Sequence, residues 1–397
     1  MTVIDNVFIM QIAMLGSKGI PTKSGGVERH VEELSLRLVQ EGFGVDVFGR
    51  KSYGIPKEST YKGIRVFGCL SIPTKNLDAI TATFVSVIRI LFSHYDIVHF
   101  HGIGPTSLSF LVRLFRPDIE VISTFHSRDY EHEKWGLFAK MYFYFGEWVT
   151  CHIPHKTIAI SHSIADYARR KYGKNIMYIP NGCSVSSVNT QDVLKELSLV
   201  SKKYILTVSR LVRHKGIHFL VEAFEKMQRK SPHLSDWKLV IVGDSSHTDE
   251  YVNEVKKLSN SNPNIVFAGE RKGKELQELF SHAYLFVQPS FSEGLSIALL
   301  EAMGYGIASL VSDIPENREA IEYAGKTFRS RDVEHLEEKM KLLLQEKEDV
   351  KWLGILSRIR VEHAYDWSVI AKKTASLYNS VFHEKSQRRH SFRFTLL

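Results

Sequence analysis

Short apolar runs rich in β-branched residues alternate along this chain with stretches whose apolar positions recur at helical spacing. In the first half the runs predict strands over 7–15, 45–48, 64–67, 96–100, 121–125, 157–160 and 176–179, with helices between most of them, notably over 27–40. The same alternation returns with strands over 204–208, 238–242, 265–268, 285–288 and 307–311. Strand and helix in turn are the mark of βαβ units and a parallel sheet, here present twice. Between the two halves residues 184–201 are polar, lack a strong apolar face and read as a linker with about one helical turn. From about Tyr365 a last helical pattern, Trp367, Ile370, Ala371, Ala375, Leu377, Tyr378 and Val381, runs into the basic tail SQRRHSFRFTLL. The expected organisation is a first lobe over 1–183, a linker over 184–201, a second lobe over 202–364 and a final helix with its tail over 365–397. The fold class is α/β: two doubly wound, Rossmann-like lobes facing across a cleft, with ligand at the carboxyl ends of the strands.

Composition agrees and removes several classes. A chain of 397 residues, 44% hydrophobic and 24% charged, is a soluble globular protein of two domains. Its three cysteines, Cys69, Cys151 and Cys183, stand apart without CxxC or Cys/His spacing, which excludes a disulfide framework and a structural zinc site and fits a reducing compartment. No apolar run reaches the roughly 20 residues a membrane helix needs; the best, over 80–92, is interrupted by Arg89. The start, MTVIDNVFIMQIAML, reads as a first strand and not as a signal peptide, so the expected location is cytoplasmic. A net charge of +8 points to an anionic partner. The excess is spread along the chain with no finger, basic zipper or RNA-binding signature, so nucleic acid is not expected.

Candidate chemistry concentrates at predicted strand ends. The first strand runs into GSKGIPTKSGGVERHVEEL, where Gly25 and Gly26 open a helix and bare its N–H groups toward a phosphate or sugar oxygen. The spacing is not GxGxxG and no GKS or GKT closes it, so a plain strand-to-helix turn explains the same residues. In the second lobe SRLVRHKGIHFLVEAF sets Arg210 and Lys215 in the loop before a helix, where a guanidinium and an ammonium can neutralise a diphosphate; a solvated basic loop is the bland reading. Further on, PSFSEGLSIALLEAMGYG puts Glu293 in a loop and Glu301 eight residues later, about two turns into the helix and on the same face. Between them Gly294, Leu295 and Ser296 would offer helix N-terminal amides to an anion. Alternatively Glu293 caps the helix and Glu301 pairs with a cation.

These motifs, together with VGD and the first-lobe segments DIVHFHG, STFHSRDYEHEKWG and IPNG, make nearly the whole chain resemble the family-4 retaining glycosyltransferases of GT-B architecture, with their E-x7-E motif. The stretch HSRDYEHEKWGLFAKMYFYFGE is similar to a subgroup linked to rhamnosyl and related transfers in bacterial surface polysaccharides. The resemblance implies that Arg210 and Lys215 grip the diphosphate of a nucleotide-sugar donor and that Glu301 accepts hydrogen bonds from its ribose. By the same carry-over Glu293 lies at the donor sugar, the amides of Gly294 to Ser296 hold sugar and phosphate, and the turn at Glu270 and Arg271 lies against the base. Arg271 departs from the less charged residue usual there, which leaves the base open. His126 matches the position that contacts sugar or acceptor near the reaction centre. The final helix is expected to return to the first lobe.

His99 and His101, at i and i+2, share a strand face and could bind a metal, but no third ligand follows at metal-site spacing and no DxD pair is present. His132 and Glu133 form no HExxH. The expectation is therefore no metal and no cofactor, with charge neutralised by Arg210, Lys215 and helix ends; the resemblance, and not residue spacing, implies retention, by a same-face displacement in which the leaving phosphate helps take the acceptor's proton. The acceptor implied is a saccharide or lipid-linked saccharide. Aromatics over 135–148 and the tail's Arg388, Arg389 and Arg393 beside Phe392 and Phe394 suggest peripheral contact with an anionic membrane face. Rival readings are a sugar-nucleotide epimerase or phosphorylase on the same lobes and a nonenzymatic nucleotide-sugar-binding protein. A dehydrogenase is disfavoured, since the first-lobe glycines lack the dinucleotide fingerprint.

Overall fold

The computed structural model describes residues 9–23, 25–74, 77–128, 130, 136–245 and 248–394, the side chains of 388–394 excepted. Val7, His132, Glu133, Trp135 and the side chains of Arg388, Arg389, Phe392, Arg393 and Phe394 thus lie outside the described parts. The chain divides into two compact units, one formed by residues 1–130, 134–181 and 367–397, the other by 131–133 and 182–366.

The first unit is built on eight strands: β1 (Gln11–Leu15), β2 (Gly44–Arg50), β3 (Ser59–Tyr61), β4 (Ile64–Cys69), β5 (Ile97–His101), β6 (Glu120–Phe125), β7 (Lys156–Ala159) and β8 (Met177–Tyr178). They lie in the order β3-β4-β2-β1-β5-β6-β7-β8, parallel throughout except for the antiparallel edge pair β3 and β4. The order reverses at β1, which pairs with β2 on one side and β5 on the other. Ile12, Ala13, Met14, Ile97, Val98 and Phe100 are buried, as strands with helices on both faces must be. Helix Gly26–Gln40 turns Val31, Leu34 and Leu38 into the core and pairs Glu33 with Arg29 and Arg37 on its outer side.

The second unit carries six parallel strands: β9 (Tyr204–Val208), β10 (Lys238–Val242), β11 (Ile265–Gly269), β12 (Leu285–Gln288), β13 (Ala308–Ser312) and β14 (Lys326–Phe328), in the order β11-β10-β9-β12-β13-β14. Here the order reverses at β9, between β10 and β12. Two strands escaped the sequence reading, β3 and β14. Each is three residues long at a sheet edge, too short and too polar to show a pattern.

Residues 184–201 are part of the second unit's packing and not a free linker. Glu278, on helix Gly273–His282, accepts hydrogen bonds at Oε1 from Val193 N (2.6 Å) and Leu194 N (3.1 Å) and at Oε2 from Thr190 Oγ1 (2.8 Å). That carboxylate caps the short helix Asp192–Glu196 from outside its own sequence, and Val193, Leu194 and Leu199 are buried.

The last helix, Trp367–Phe394, belongs to the first unit, where Trp367, Ile370, Leu377, Tyr378 and Val381 share one core with Ile97, Ile122 and Ile158. Tyr378 ties it to the sheet through a 2.6 Å hydrogen bond with His99 Nδ1. Removing that hydroxyl leaves a buried ring nitrogen without a partner. Tyr378→Phe is expected to lower the stability of the first unit by about 1–3 kcal/mol, read as a lower urea midpoint at neutral pH; an unchanged midpoint would remove this bond from the account of how the helix is held.

Candidate functional site

In the second unit β9 and β12 pair in parallel, Leu285 opposite Ile205 and Phe286 opposite Leu206, so the loops leaving their carboxyl ends emerge side by side. After β9 the chain makes a 3-10 turn over Arg213–Lys215 and enters helix Ile217–Lys230 through Gly216. Gly216 has φ +69°, and a Cβ there would stand 2.2 Å from the carbonyl oxygen of Pro289. Phe291 N also donates to His214 O at 2.9 Å. Only a glycine permits so close an approach in this conformation, and the approach sets Lys215 beside Glu293.

Lys215 Nζ donates to both oxygens of that carboxylate, at 2.6 and 2.7 Å, with the two side chains only 15% and 7% exposed. Two of three ammonium N–H bonds are thereby spent, which fixes the lysine's direction and leaves one for another acceptor. Arg210 is half-buried in the same loop, and its guanidinium makes no ion pair or hydrogen bond with the described residues. The pair Lys215 and Glu293 is formally neutral, so Arg210 carries the uncompensated charge.

Glu301 is the fifth residue of helix Ile297–Gly304 and half-buried. The turn before that helix corrects one expectation. Ser296 is the N-cap, with its Oγ accepting from Leu299 N at 3.3 Å, so Gly294, Leu295 and Ser296 precede the helix and the first-turn amides belong to Ile297 and Ala298. An extended cap residue with ψ 114° cannot itself be helical, and its side chain takes the amide that an anion would have shared. Glu301 is accordingly little more than one turn inside the helix.

Glu270 and Arg271 follow β11. Glu270 is exposed and pairs with Lys272 at 2.7 Å. Arg271 folds back on its own unit: Nε donates to Ala268 O at 2.9 Å and the two terminal nitrogens reach Glu196 at 3.1 and 2.6 Å. Its guanidinium clamps the capped segment before β9, and what the turn leaves for a ligand is backbone.

In the first unit Gly25 is the N-cap of helix Gly26–Gln40 with φ +106°, and a Cβ there would meet Glu28 Oε2 at 2.1 Å. Glu28 Oε1 in turn accepts from Lys18 N at 3.0 Å, which folds the glycine-rich turn over the helix start.

His126 follows β6 and is buried. Its Nε2 lies 3.2 Å from Nδ1 of His101 at the end of β5, and its ring meets that of His30 edge-on at 4.8 Å. Burial holds all three imidazoles neutral, pushing His30 down to about 4 and His101 and His126 well below their ordinary value. His99 packs its ring against that of His101, centroids 4.2 Å apart, but its nitrogens are engaged elsewhere: Tyr378 Oη and Thr124 Oγ1 occupy both, at 2.6 and 2.7 Å. The sequence reading sought a third ligand near His99 and His101 and found none. The partners of His101 come instead from residues 30 and 126, on a helix and just past the neighbouring strand β6. His30 went unassigned although it stands in GGVERHVEEL beside the buried Val31, Leu34 and Leu38, and Asn181 of IPNG, which accepts at Oδ1 from His30 Nδ1 (2.9 Å), went unassigned with it.

A family model described as Glycosyltransferase Family 4 matches residues 24–187 and one described as Glycosyl transferases group 1 matches residues 190–355. The chain is 26% identical over 228 residues to a putative teichuronic acid biosynthesis glycosyltransferase of Bacillus subtilis, covering 55% of this chain and 53% of that protein. It is 29% identical over 191 residues to the N,N'-diacetylbacillosaminyl-diphospho-undecaprenol alpha-1,3-N-acetylgalactosaminyltransferase of Campylobacter jejuni, 47% of each chain. The matches thus span about half the length of these curated relatives. In fold, Anabaena HepE in complex with UDP-glucose superposes with a TM-score of 0.75 at 16% identity, over 94% of this chain and 100% of that one. Two Rossmann-like units of GT-B type, matched in tandem along the chain, make this protein a member of the family-4 glycosyltransferases.

Proposed function

We propose that the protein is a retaining glycosyltransferase that moves a sugar from a nucleoside-diphosphate sugar to the hydroxyl of a saccharide or lipid-linked saccharide in polysaccharide synthesis. The observation that carries this reading is the junction of Lys215, Glu293 and Arg210 at the carboxyl edge of the second unit's sheet. Departure of a nucleoside diphosphate leaves negative charge on phosphate and positive charge on the sugar ring. Arg210 and the remaining N–H of Lys215 stabilise the first, and fixed charges of this kind need no reorganisation as the bond breaks. Glu293, held beside Lys215, accepts from hydroxyls of the donor sugar, and Glu301 accepts from the ribose. Gly294 to Ser296 and the Glu270 and Arg271 turn present backbone to the sugar and the base, Gly25 and Gly26 present theirs in the first unit, and His126 supplies a neutral hydrogen-bond partner for sugar or acceptor. Diphosphate neutralisation then requires no metal. Retention follows from same-face displacement, the leaving phosphate taking the acceptor's proton.

A membrane-borne acceptor is favoured by the helix Leu137–His152. Leu137, Phe138, Met141, Phe145 and Trp148 are exposed, Phe138 by 86%, and recur at the spacing of one helix face, while Glu147, Val149 and Cys151 are turned inward. An apolar stripe of this size on a chain with net charge +8 fits the surface of an anionic bilayer. The Campylobacter relative's undecaprenol-linked acceptor supports the same choice.

The direct test is incubation with a panel of nucleotide sugars and saccharide acceptors, with and without EDTA, followed by NMR of the first product. Turnover that survives EDTA and keeps the donor's anomeric configuration is expected; an inverted anomer would overturn the mechanism. Lys215→Ala removes a charge-assisted contact worth about 1.5–3 kcal/mol, so nucleoside diphosphate should bind roughly ten- to a hundredfold more weakly by calorimetry. Equal affinity would remove Lys215 from the donor site. Finally, the chain should sediment with vesicles containing anionic lipid at low salt and be released as salt rises, and Phe138→Ser with Met141→Ser should weaken that binding; no sedimentation at low salt would point to a soluble acceptor.

A further inference from the structure

We propose that His30, His101 and His126 form a binding site in the first unit for a late first-row divalent ion of the zinc class. The three side chains come from helix Gly26–Gln40, the end of β5 and the residue after β6, and one ring nitrogen from each lies within 4.8 Å of the other two. His101 Nδ1 and His126 Nε2 are 3.2 Å apart, close to the separation of about 3.3 Å between two nitrogens bound tetrahedrally at about 2.0–2.1 Å from zinc.

His30 supplies the decisive detail. Its Nδ1 meets the carbonyl oxygen of Asn181 at 2.9 Å, and since that oxygen only accepts, Nδ1 carries the ring proton. Nε2 is therefore a bare lone pair, and it is buried with no hydrogen-bond partner among the described residues. An unpartnered lone pair beside two other imidazoles is a ready ligand for a Lewis acid, and an oxygen that fixes the tautomer of a ligating histidine from its far side is a recurrent feature of zinc sites. His101 fits the same scheme: with Nδ1 as ligand, its Nε2–H faces Met14 Sδ at 3.5 Å. Each imidazole keeps one N–H, so binding releases no proton.

The donor set also names the ion class. Three imidazoles and no carboxylate suit zinc, cobalt, nickel or copper and not magnesium or calcium, which take oxygen. His99 cannot be a fourth ligand because hydroxyls hold both of its nitrogens, so the fourth position falls to solvent or a small anion. The three histidines belong to the first unit, whereas Arg210 and Lys215 belong to the second. If His126 acts as set out under Proposed function, an ion here takes up its Nε2 and inhibits transfer, which is compatible with turnover in EDTA.

The test reads binding and not activity, so it stands or falls apart from the glycosyltransferase reading. The full chain, stripped with EDTA and dialysed, is titrated with cobalt(II) at pH 7 and followed by its visible ligand-field bands, then back-titrated with zinc. One equivalent of tetrahedral cobalt, displaced by zinc and untouched by excess magnesium, is expected. His30→Phe should abolish the bands, and Asn181→Ala, which removes only the orienting oxygen, should weaken binding about ten- to a hundredfold. The chain has 18 histidines, so cobalt uptake that is equal in wild type and His30→Phe would overturn the proposal, as would no uptake at all. Should His30→Phe lose its native circular dichroism, Asn181→Ala decides: weaker binding supports the site and unchanged binding overturns it.

Discussion

In a parallel sheet every strand ends on the same edge, and helices cover both faces, so the only backbone free to carry chemistry is in the loops at that edge. The second unit depends on this constraint at one place above all, where the loop after β9 and the loop after β12 press together at Gly216 and Pro289. Residues 78 apart in the chain, Lys215 and Glu293, meet there because two neighbouring strands end together and a glycine removes the one Cβ that would hold the loops apart. The same rule orders the first unit, whose glycine-rich turn follows β1 and whose histidines follow β5 and β6, all at the carboxyl edge.

The two edges are chemically opposite. That of the second unit is ionic and partly wet, with Arg210 half-buried and an ammonium already oriented by a carboxylate. The histidine cluster of the first is buried and uncharged, its imidazoles neutral through burial and engaged with one another, with Asn181, Met14, Thr124 and Tyr378 around them. The former is equipped to neutralise charge, and the latter to hydrogen-bond through neutral lone pairs.

How much of this could be read from the sequence follows from how local each feature is. Strands β9, β10 and β12 appear at their full bounds in the apolar pattern because a buried parallel strand is a continuous apolar run with sharp ends. The three-residue edge strands β3 and β14 leave no such run. Residues 184–201 read as linker because their cap, Glu278, lies more than eighty residues downstream and the packing of Val193 and Leu194 depends on it. Among candidate site residues, Arg210, Lys215, Glu293 and Glu301 stand in contiguous motifs and are legible there. The pairing of Lys215 with Glu293 is not, nor the diversion of Arg271 to Glu196, nor the meeting of His30 with His101 and His126, because each joins segments that only the sheet order brings together.

The ion pair itself is best understood by asking what it does not do. Desolvating an ammonium and a carboxylate to the degree found here offsets most of their attraction, and pairs of this kind contribute little net stability compared with apolar residues of the same size. Yet the loops that hold it require a left-handed glycine and a backbone approach too close to admit a Cβ, both of which constrain the fold. What the pair provides is direction: it fixes a flexible four-carbon side chain in one orientation before any anion arrives, so that the rotamer entropy of Lys215 is lost on folding and not on binding. It also keeps the loop close to neutral, with Arg210 supplying the net charge. An anion bound there meets one guanidinium without a partner among the described residues and one prepositioned N–H, an arrangement suited to a diphosphate.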